Sequence, residues 1–240
     1  MDGLLIIDKP LNWTSFDVVA KVRNAFSKLD PIRKRVKVGH TGTLDPLATG
    51  VLVLCVGSAT KKVSELTAVD KEYIAEVTLG ATSTTDDAEG EIKTIEGEDN
   101  YPRLLEEDIK KILPQFTGTF DQIPPQFSAK KVDGKRAYES ARAGKTVELK
   151  PMNVTVHELE LLSYEWPVMR LRIHCGKGFY VRSLARDLGV ALGVGGYLTA
   201  LQRTRVGRFT LDQAIDINHV DPSQLIPTSL DHKSMKAQEH

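Results

Sequence analysis

Cysteine is nearly absent: the 240 residues hold two, Cys55 and Cys175. That is too few for a disulfide framework, neither has a CxxC partner, and a reducing cytoplasm is the expected compartment. No apolar run approaches the roughly 20 residues that a membrane span requires. The amino terminus, MDGLLIIDKP, lacks a basic flank, and its apolar run is too short for a signal peptide. Also missing are GxSxG, HExxH, the Walker GxxxxGKS/T and a complete GxGxxG. Gly176-Lys177-Gly178 is a fragment of a phosphate loop and reads as a strand-to-helix turn. The six histidines fall into no metal-ligand spacing. Chemistry by a bound metal, a nucleoside triphosphate or a nicotinamide is therefore unsupported, and any catalysis is expected from side chains alone.

What is present is an ordinary globular composition, 41% hydrophobic and 27% charged, in a chain long enough to bury roughly 70–75% of its unfolded surface. Net charge is zero, with 32 bases against 32 acids, but the signs are segregated. Residues 20–39 hold seven Lys/Arg and one acid, residues 125–150 seven and three, and residues 170–208 eight and one. Residues 85–108 instead hold ten acids and two bases. Converging basic stretches would make a face for a polyanion, while solvated helix faces are the plainer account of any one of them.

Along the chain, residues 3–8 predict a buried strand. Thr14 or Ser15 caps a helix with Phe16, Val19, Val22 and Phe26 at helical spacing. Residues 51–56 form a continuous apolar run between glycines, the pattern of a strand buried on both faces. Residues 71–80 alternate as a half-buried strand. Residues 154–164 and 168–175 read as a hairpin turned at Trp166-Pro167. Residues 178–192 return to helical period. Residues 84–101, acidic and turn-rich, are expected to be an exposed excursion. Residues 122–150 mix proline, aromatic and basic side chains, as an arm or a surface hairpin would. An α+β fold with one mixed, mainly antiparallel sheet flanked by helices fits this order better than a doubly wound parallel sheet.

The densest signal is GHTGTLDPLATG at residues 39–50, a tightly turned loop feeding the buried strand. Pro46 disfavours the helical region for Asp45 and holds it on extended backbone. On backbone chemistry alone the plainer role for Asp45 is a turn-former bonding to local N–H groups. His40 alone likewise reads as structural.

Together with the next two residues, GHTGTLDPLATGVL resembles the aspartate motif of the TruB family of tRNA pseudouridine synthases. Four further stretches agree in order: GLLIIDKPLNWTS, Lys71-Glu72-Tyr73, IPPQFSAKKVDGKRAYESARAG and HCGKGFYVRSLARDLG. The likeness runs from Gly3 to about Phe209. It implies the pseudouridine synthase fold with an inserted thumb arm, and conversion of the T-loop uridine of tRNA without cofactor or metal. By the same resemblance Asp45 is the catalytic carboxylate and Tyr73 stacks on the target base and takes part in removing its C5 proton. Arg182 pairs with the carboxylate. His40, Tyr180 and Leu201 line or hold the substrate, and Lys9 and Pro10 support the site from beneath. Lys130, Lys131, Lys135 and Arg136 belong to the thumb, expected to clamp the T-arm and to order on it. A catalytic domain over residues 1–212 and a short extension over 213–240, without the PUA domain common in bacterial members, is the expected organisation. A monomer in the cytoplasm is expected, with tRNA as partner and no membrane contact. The alternatives are a non-catalytic RNA-binding or tRNA-folding protein, and a related synthase acting on another RNA.

Overall fold

The computed structural model describes residues 1–29, 36–95, 104–128 and 148–228, with the backbone alone of 131–132 and 135–136. In chain order the elements are β1 (Gly3–Lys9), α1 (Ser15–Leu29), β2 (Val38–His40), β3 (Ala48–Val56), α2 (Val63–Thr67), β4 (Lys71–Leu79), β5 (Ala81–Ser83) and β6 (Ile92–Thr94). There follow α3 (Glu106–Ile112), β7 (Gly118–Gln122), β8 (Lys131–Val132), β9 (Lys135–Arg136), β10 (Met152–Glu165) and β11 (Val168–Cys175). The last are α4 (Val181–Ala191), β12 (Gly196–Val206), β13 (Phe209–Thr210) and β14 (Ile215–Asp216). The chain divides into two compact units, Met1–Val69 with Gln202–His240, and Asp70–Leu201.

In the first unit β1 runs antiparallel to β3, from Gly3 opposite Val56 to Lys9 opposite Gly50. On its other edge β1 takes β14 in parallel, with Ile7 opposite Ile215. β2 pairs with the far end of β3. Every aliphatic residue of 51–56 is fully buried, as the uninterrupted apolar run predicted. Leu4, Ile6, Val51, Val53 and Cys55 pack with Ala59, Leu66, Val206 and Phe209 into one core cluster. Burial of each large aliphatic or aromatic side chain of this kind stabilises by about 1.5–3 kcal/mol.

Thr14 caps α1: its Oγ1 accepts from the N–H of Asp17 at 3.1 Å, and the Asp17 carboxylate accepts from the N–H of Thr14 at 2.9 Å. The helix buries Ser15, Val18, Val19, Val22 and Phe26. Phe16, expected on that face, is 65% exposed instead, because one residue of helix rotates the side chain about 100° off the buried stripe.

After Thr210 the chain does not leave the unit. Besides the β1–β14 pair, Leu4 and Ile226 exchange backbone hydrogen bonds of 2.8 Å each way, and Ile217 is buried. Residues 229–240, expected to be a tail, lie outside the described residues.

In the second unit the strand order is β12-β4-β11-β10-β7, with antiparallel pairs from β4 to β7. β12 passes through the division, its residues 196–201 belonging here and 202–206 to the first unit. β4 alternates strictly between buried and half-buried residues, and Tyr73, Ala75, Val77 and Leu79 point into the core. α4 packs against β4 and buries Leu184, Ala185 and Leu188. The class is α+β with a mixed, mainly antiparallel sheet arrangement, as the sequence predicted.

The acidic stretch after β5 is exposed at most of its described positions, as its composition predicted, but its turn at residues 85–87 is not. The N–H of Leu198 donates to the carbonyl of Asp86 and the N–H of Ala88 to that of Leu198, which ties the turn to β12. Asp87 ends up fully buried. Of that stretch, residues 96–101 lie outside the described residues.

Candidate active site

The loop between β2 and β3 carries His40 at its entrance and Asp45 near its tip. Ala48 N–H donates to the carbonyl of Asp45 at 3.0 Å, closing a turn with Asp45 first and Pro46 second, the residues such turns favour. Three anchors fix this turn within the first unit. Ser15 Oγ accepts from the N–H of Leu44 at 2.8 Å and donates to its carbonyl at 3.1 Å. Asn12 N–H donates to the carbonyl of Pro46 at 2.9 Å. The fully buried Lys9 directs its ammonium to the carbonyls of Pro10, Trp13 and Pro46. Lys9 thus ties the carbonyls of Pro10, Trp13 and Pro46 together beneath the loop.

A fourth anchor was not foreseen. Arg203, 1% exposed, donates through Nε to the carbonyl of Val51 at 2.7 Å and through one terminal nitrogen to that of Gly42 at 3.1 Å. The guanidinium therefore bolts the loop to the strand that follows it. Gly50 permits the close approach: its φ is +96°, and a Cβ there would meet the carbonyl oxygen of Arg203 at 2.3 Å. His40 is half-buried, and burial first, then the charge of Arg203, hold its imidazole below the usual value.

In the second unit, Arg182 lies in the first turn of α4 and is almost fully buried. It donates to the Asp87 carboxylate and the Thr85 carbonyl at 3.4 Å each, and to the Phe127 carbonyl at 3.0 Å. Asp87 in turn accepts from the hydroxyl of Thr85 and from the N–H of Glu89. A buried guanidinium and a buried carboxylate each need such a partner, since either alone in the interior is costly. One helical turn on, Arg186 reaches Asp86 and Asp187 at 2.9 Å each and the Ile123 carbonyl at 2.9 Å. Burial raises the Asp86 carboxyl above its usual range, and the attraction of Arg186 and Arg182 does not cancel that effect.

Tyr180 is the residue before α4. Its N–H donates to Gln122 Oε1 at 2.9 Å and its carbonyl accepts from Gln122 Nε2 at 3.1 Å. Ser183 Oγ donates to the Ile123 carbonyl at 2.8 Å. The first residues of the expected arm are thus pinned to α4. Farther along, Lys131 pairs with Arg136 and Val132 with Lys135 in a short hairpin. The side chains of Lys131, Lys135 and Arg136, Lys130, and most of residues 129–147 lie outside the described residues. Tyr73 is 8% exposed on the inward face of β4, and Leu201 is half-buried on β12.

Sequence reasoning missed Arg203, Asp87, Ser15 and Gln122. The basic count of residues 170–208 concealed the buried Arg203. Arg172, Arg182 and Arg186 in it engage carboxylates and Arg203 engages carbonyls. Arg182 and Arg203 are therefore internal wiring, while Arg170, Lys177 and Arg208 are exposed.

The model of the TruB family pseudouridylate synthase N-terminal domain matches residues 30–181, and that of the tRNA pseudouridylate synthase B C-terminal domain matches residues 182–236. A Parabacteroides distasonis protein named tRNA pseudouridine synthase B is 49% identical over 218 residues, 91% of each chain. A protein of the same name from Thermobifida fusca is 48% identical over 227 residues, 91% of this chain and 74% of that one. Among solved structures, a chain of a Cbf5-Nop10-Gar1 complex superposes with a TM-score of 0.66 at 29% identity, covering 90% of this chain and 52% of that one. One from an H/ACA RNP bound to a substrate RNA containing 2'-deoxyuridine gives 0.63 at 27% identity, with 90% and 51% covered. The chain spans about half the length of these two solved chains.

Proposed function

Because the chain belongs to the TruB family of pseudouridylate synthases, we propose that it isomerises uridine to pseudouridine at position 55 in the T-loop of tRNA. The observation that carries this reading is its 49% identity, over 91% of the chain, to a protein named tRNA pseudouridine synthase B. The two solved relatives, from a Cbf5-Nop10-Gar1 complex and an H/ACA RNP, are less similar, at 29% and 27% identity.

The reaction breaks the N1–C1′ bond, turns the uracil, and joins C5 to C1′. Nothing is gained or lost, so the isomerisation itself calls for no oxidant, no ATP and no metal ion. The target nucleotide must leave its stack, which costs a few kcal/mol. Stacking on an aromatic ring, assigned here to Tyr73, returns about 1–3 kcal/mol and tolerates the rotation of the base. The Tyr73 phenol takes part in removing the C5 proton.

Asp45 is the carboxylate that acts at the sugar carbon. Support comes from its turn, whose backbone is held by Ser15, Asn12, Lys9 and Arg203 so that the acid is presented from a rigid frame. Arg182 is the cation that keeps the catalytic carboxylate ionised in a dry pocket, against the tendency of burial to protonate it. Its planar fork makes lysine a poor replacement. Support here is the way Asp87, Thr85 and Phe127 fix the guanidinium without exposing it. His40, Tyr180 and Leu201 contact the opened loop, and Lys130, Lys131, Lys135 and Arg136 grip the T-arm from the thumb. The catalytic body is residues 1–212, with 213–240 as a short extension, and the enzyme works as a monomer in the cytoplasm. No helix among the described residues is long and apolar enough to cross a membrane.

Tritium release from C5-labelled uridine in a T-arm transcript tests this reading. Release is expected from the parent and none from Asp45→Asn. Equal rates from both would refute the mechanism, and undiminished release when the target uridine is replaced would point to a different RNA site.

A further inference from the structure

We propose that Asp70, His157 and His174 form a binding site for one divalent ion of the zinc type, on the second unit. The three residues offer ligand atoms that all lie within 4.8 Å of one another. Asp70 Oδ2 stands 3.3 Å from Nε2 of His157 and 3.8 Å from Nε2 of His174. Ligand atoms placed 2.0–2.2 Å from a tetrahedral zinc ion are roughly 3.3–3.6 Å apart, so the first distance already matches and the others need small rotations. Two imidazoles and one carboxylate are a donor set suited to zinc and its first-row neighbours.

The placement follows from the sheet. Asp70 immediately precedes β4, His174 lies on β11 and His157 on β10, three adjacent strands. Val156 opposes Cys175 but Glu158 opposes His174, so His157 is the extra residue of a β-bulge. A bulge re-aims a side chain, and here it turns His157 toward its neighbours. The two imidazole rings lie 4.8 Å apart, centroid to centroid. Gly176 borders the site, where a Cβ would stand in ordinary contact, 3.7 Å from Asp70 Oδ1 and 3.9 Å from His157 Nε2. Glu72 and Glu158 sit opposite His174 on the two flanking strands, Glu158 being held in an ion pair with Arg172 at 3.2 Å. The side chains of Asp70, His157 and His174 are 45%, 40% and 25% exposed and Nε2 of His174 is itself buried, so an ion reaches the set from the side of Asp70 and His157.

The ion clips β4, β11 and β10 together and takes no part in the isomerisation, which is balanced without it. Three protein ligands leave a coordination position for water. Spacing along the chain could not reveal the set, because the carboxylate precedes the first histidine by more than half of the unit.

The test uses the full chain stripped with a chelator, dialysed, and titrated with zinc chloride against a chromophoric competitor. One equivalent is expected to bind and to raise the melting temperature. His157→Ala, at the half-exposed position, and His174→Gln, independently, are each expected to abolish both effects, while His232→Ala/His240→Ala keeps them. Cobalt(II) in the same site is expected to show ligand-field bands without thiolate charge transfer, separating it from Cys55 and Cys175. Rates of tritium release are expected to be equal for metal-free and zinc-loaded parent. Failure of the parent to bind zinc, or undiminished binding by a correctly folded His157→Ala, would overturn the proposal and leave a histidine–aspartate ion pair.

Discussion

Two residues give the sharpest tests of how single side chains are tuned. Asp87 neutralises the buried guanidinium of Arg182. Removing it takes a buried charged acceptor from the guanidinium, so Asp87→Ala is expected to lower stability by about 1–3 kcal/mol in urea unfolding. His40 offers a pH signature. Its imidazole is held below the ordinary 6.5 by burial and by Arg203. Above 6.5 the folded and unfolded chains are both neutral there. Below it the unfolded chain takes up a proton that the folded chain refuses, so this contribution to stability is lost as pH falls from 6.5 through the folded value. The urea midpoint of the parent should therefore drop more between about pH 7.5 and about pH 5.5 than that of His40→Gln. Tyr73→Phe separates the two roles of that residue: RNA binding is expected to persist because the ring remains, while turnover falls because the phenol is gone. The tight turn at Asp45 was legible because a proline and three glycines lie within its twelve residues, whereas the catalytic role given to its carboxylate came from the family resemblance alone. Arg203 and Asp87 were not, because a buried arginine or aspartate looks in sequence like any surface charge, and only the partners distinguish it.

Elements with strong local patterns were readable. β3 announced itself by six consecutive apolar residues, β4 by strict alternation, and the β10–β11 hairpin by two alternating runs about Trp166-Pro167. Phe16 misled because aromatic size outweighed phase: the helix buries positions 15, 18, 19, 22 and 26, and 16 falls between them. The turn at Thr85 to Asp87 misled in the opposite direction, since its acidity signalled solvent while its partners are arginines on α4, about a hundred residues later. The junction of loop and strand at Gly50 is the element whose failure should be most visible. Its φ of +96° and the 2.3 Å approach to Arg203 leave no room for a side chain. Gly50→Ala is expected to cost more than about 1 kcal/mol, read as a lower urea midpoint, and to slow tritium release by loosening the loop that presents Asp45.

At the scale of the whole chain, the organisation along the sequence and the organisation in space differ. Residues past Thr210 carry weak periodicity, yet Ile215 and Asp216 extend the sheet beside β1 and Ile226 bonds to Leu4. Short strands and single-turn helices leave little periodic trace, which is why this stretch was not readable as part of a sheet. A chain stopped at Thr210 is accordingly expected to melt several degrees below the parent, by the order of 4 °C per kcal/mol lost. The reciprocal bonds of Leu4 and Ile226 also set a timetable. A ribosome releases Leu4 first and Ile226 more than two hundred residues later, whereas Asp70–Leu201 emerges as one uninterrupted stretch. Strand β1 must therefore wait, with one edge open, until Ile226 has emerged, and nascent chains that have released Leu201 but not Ile226 should hold that strand accessible to protease while the central stretch is already resistant.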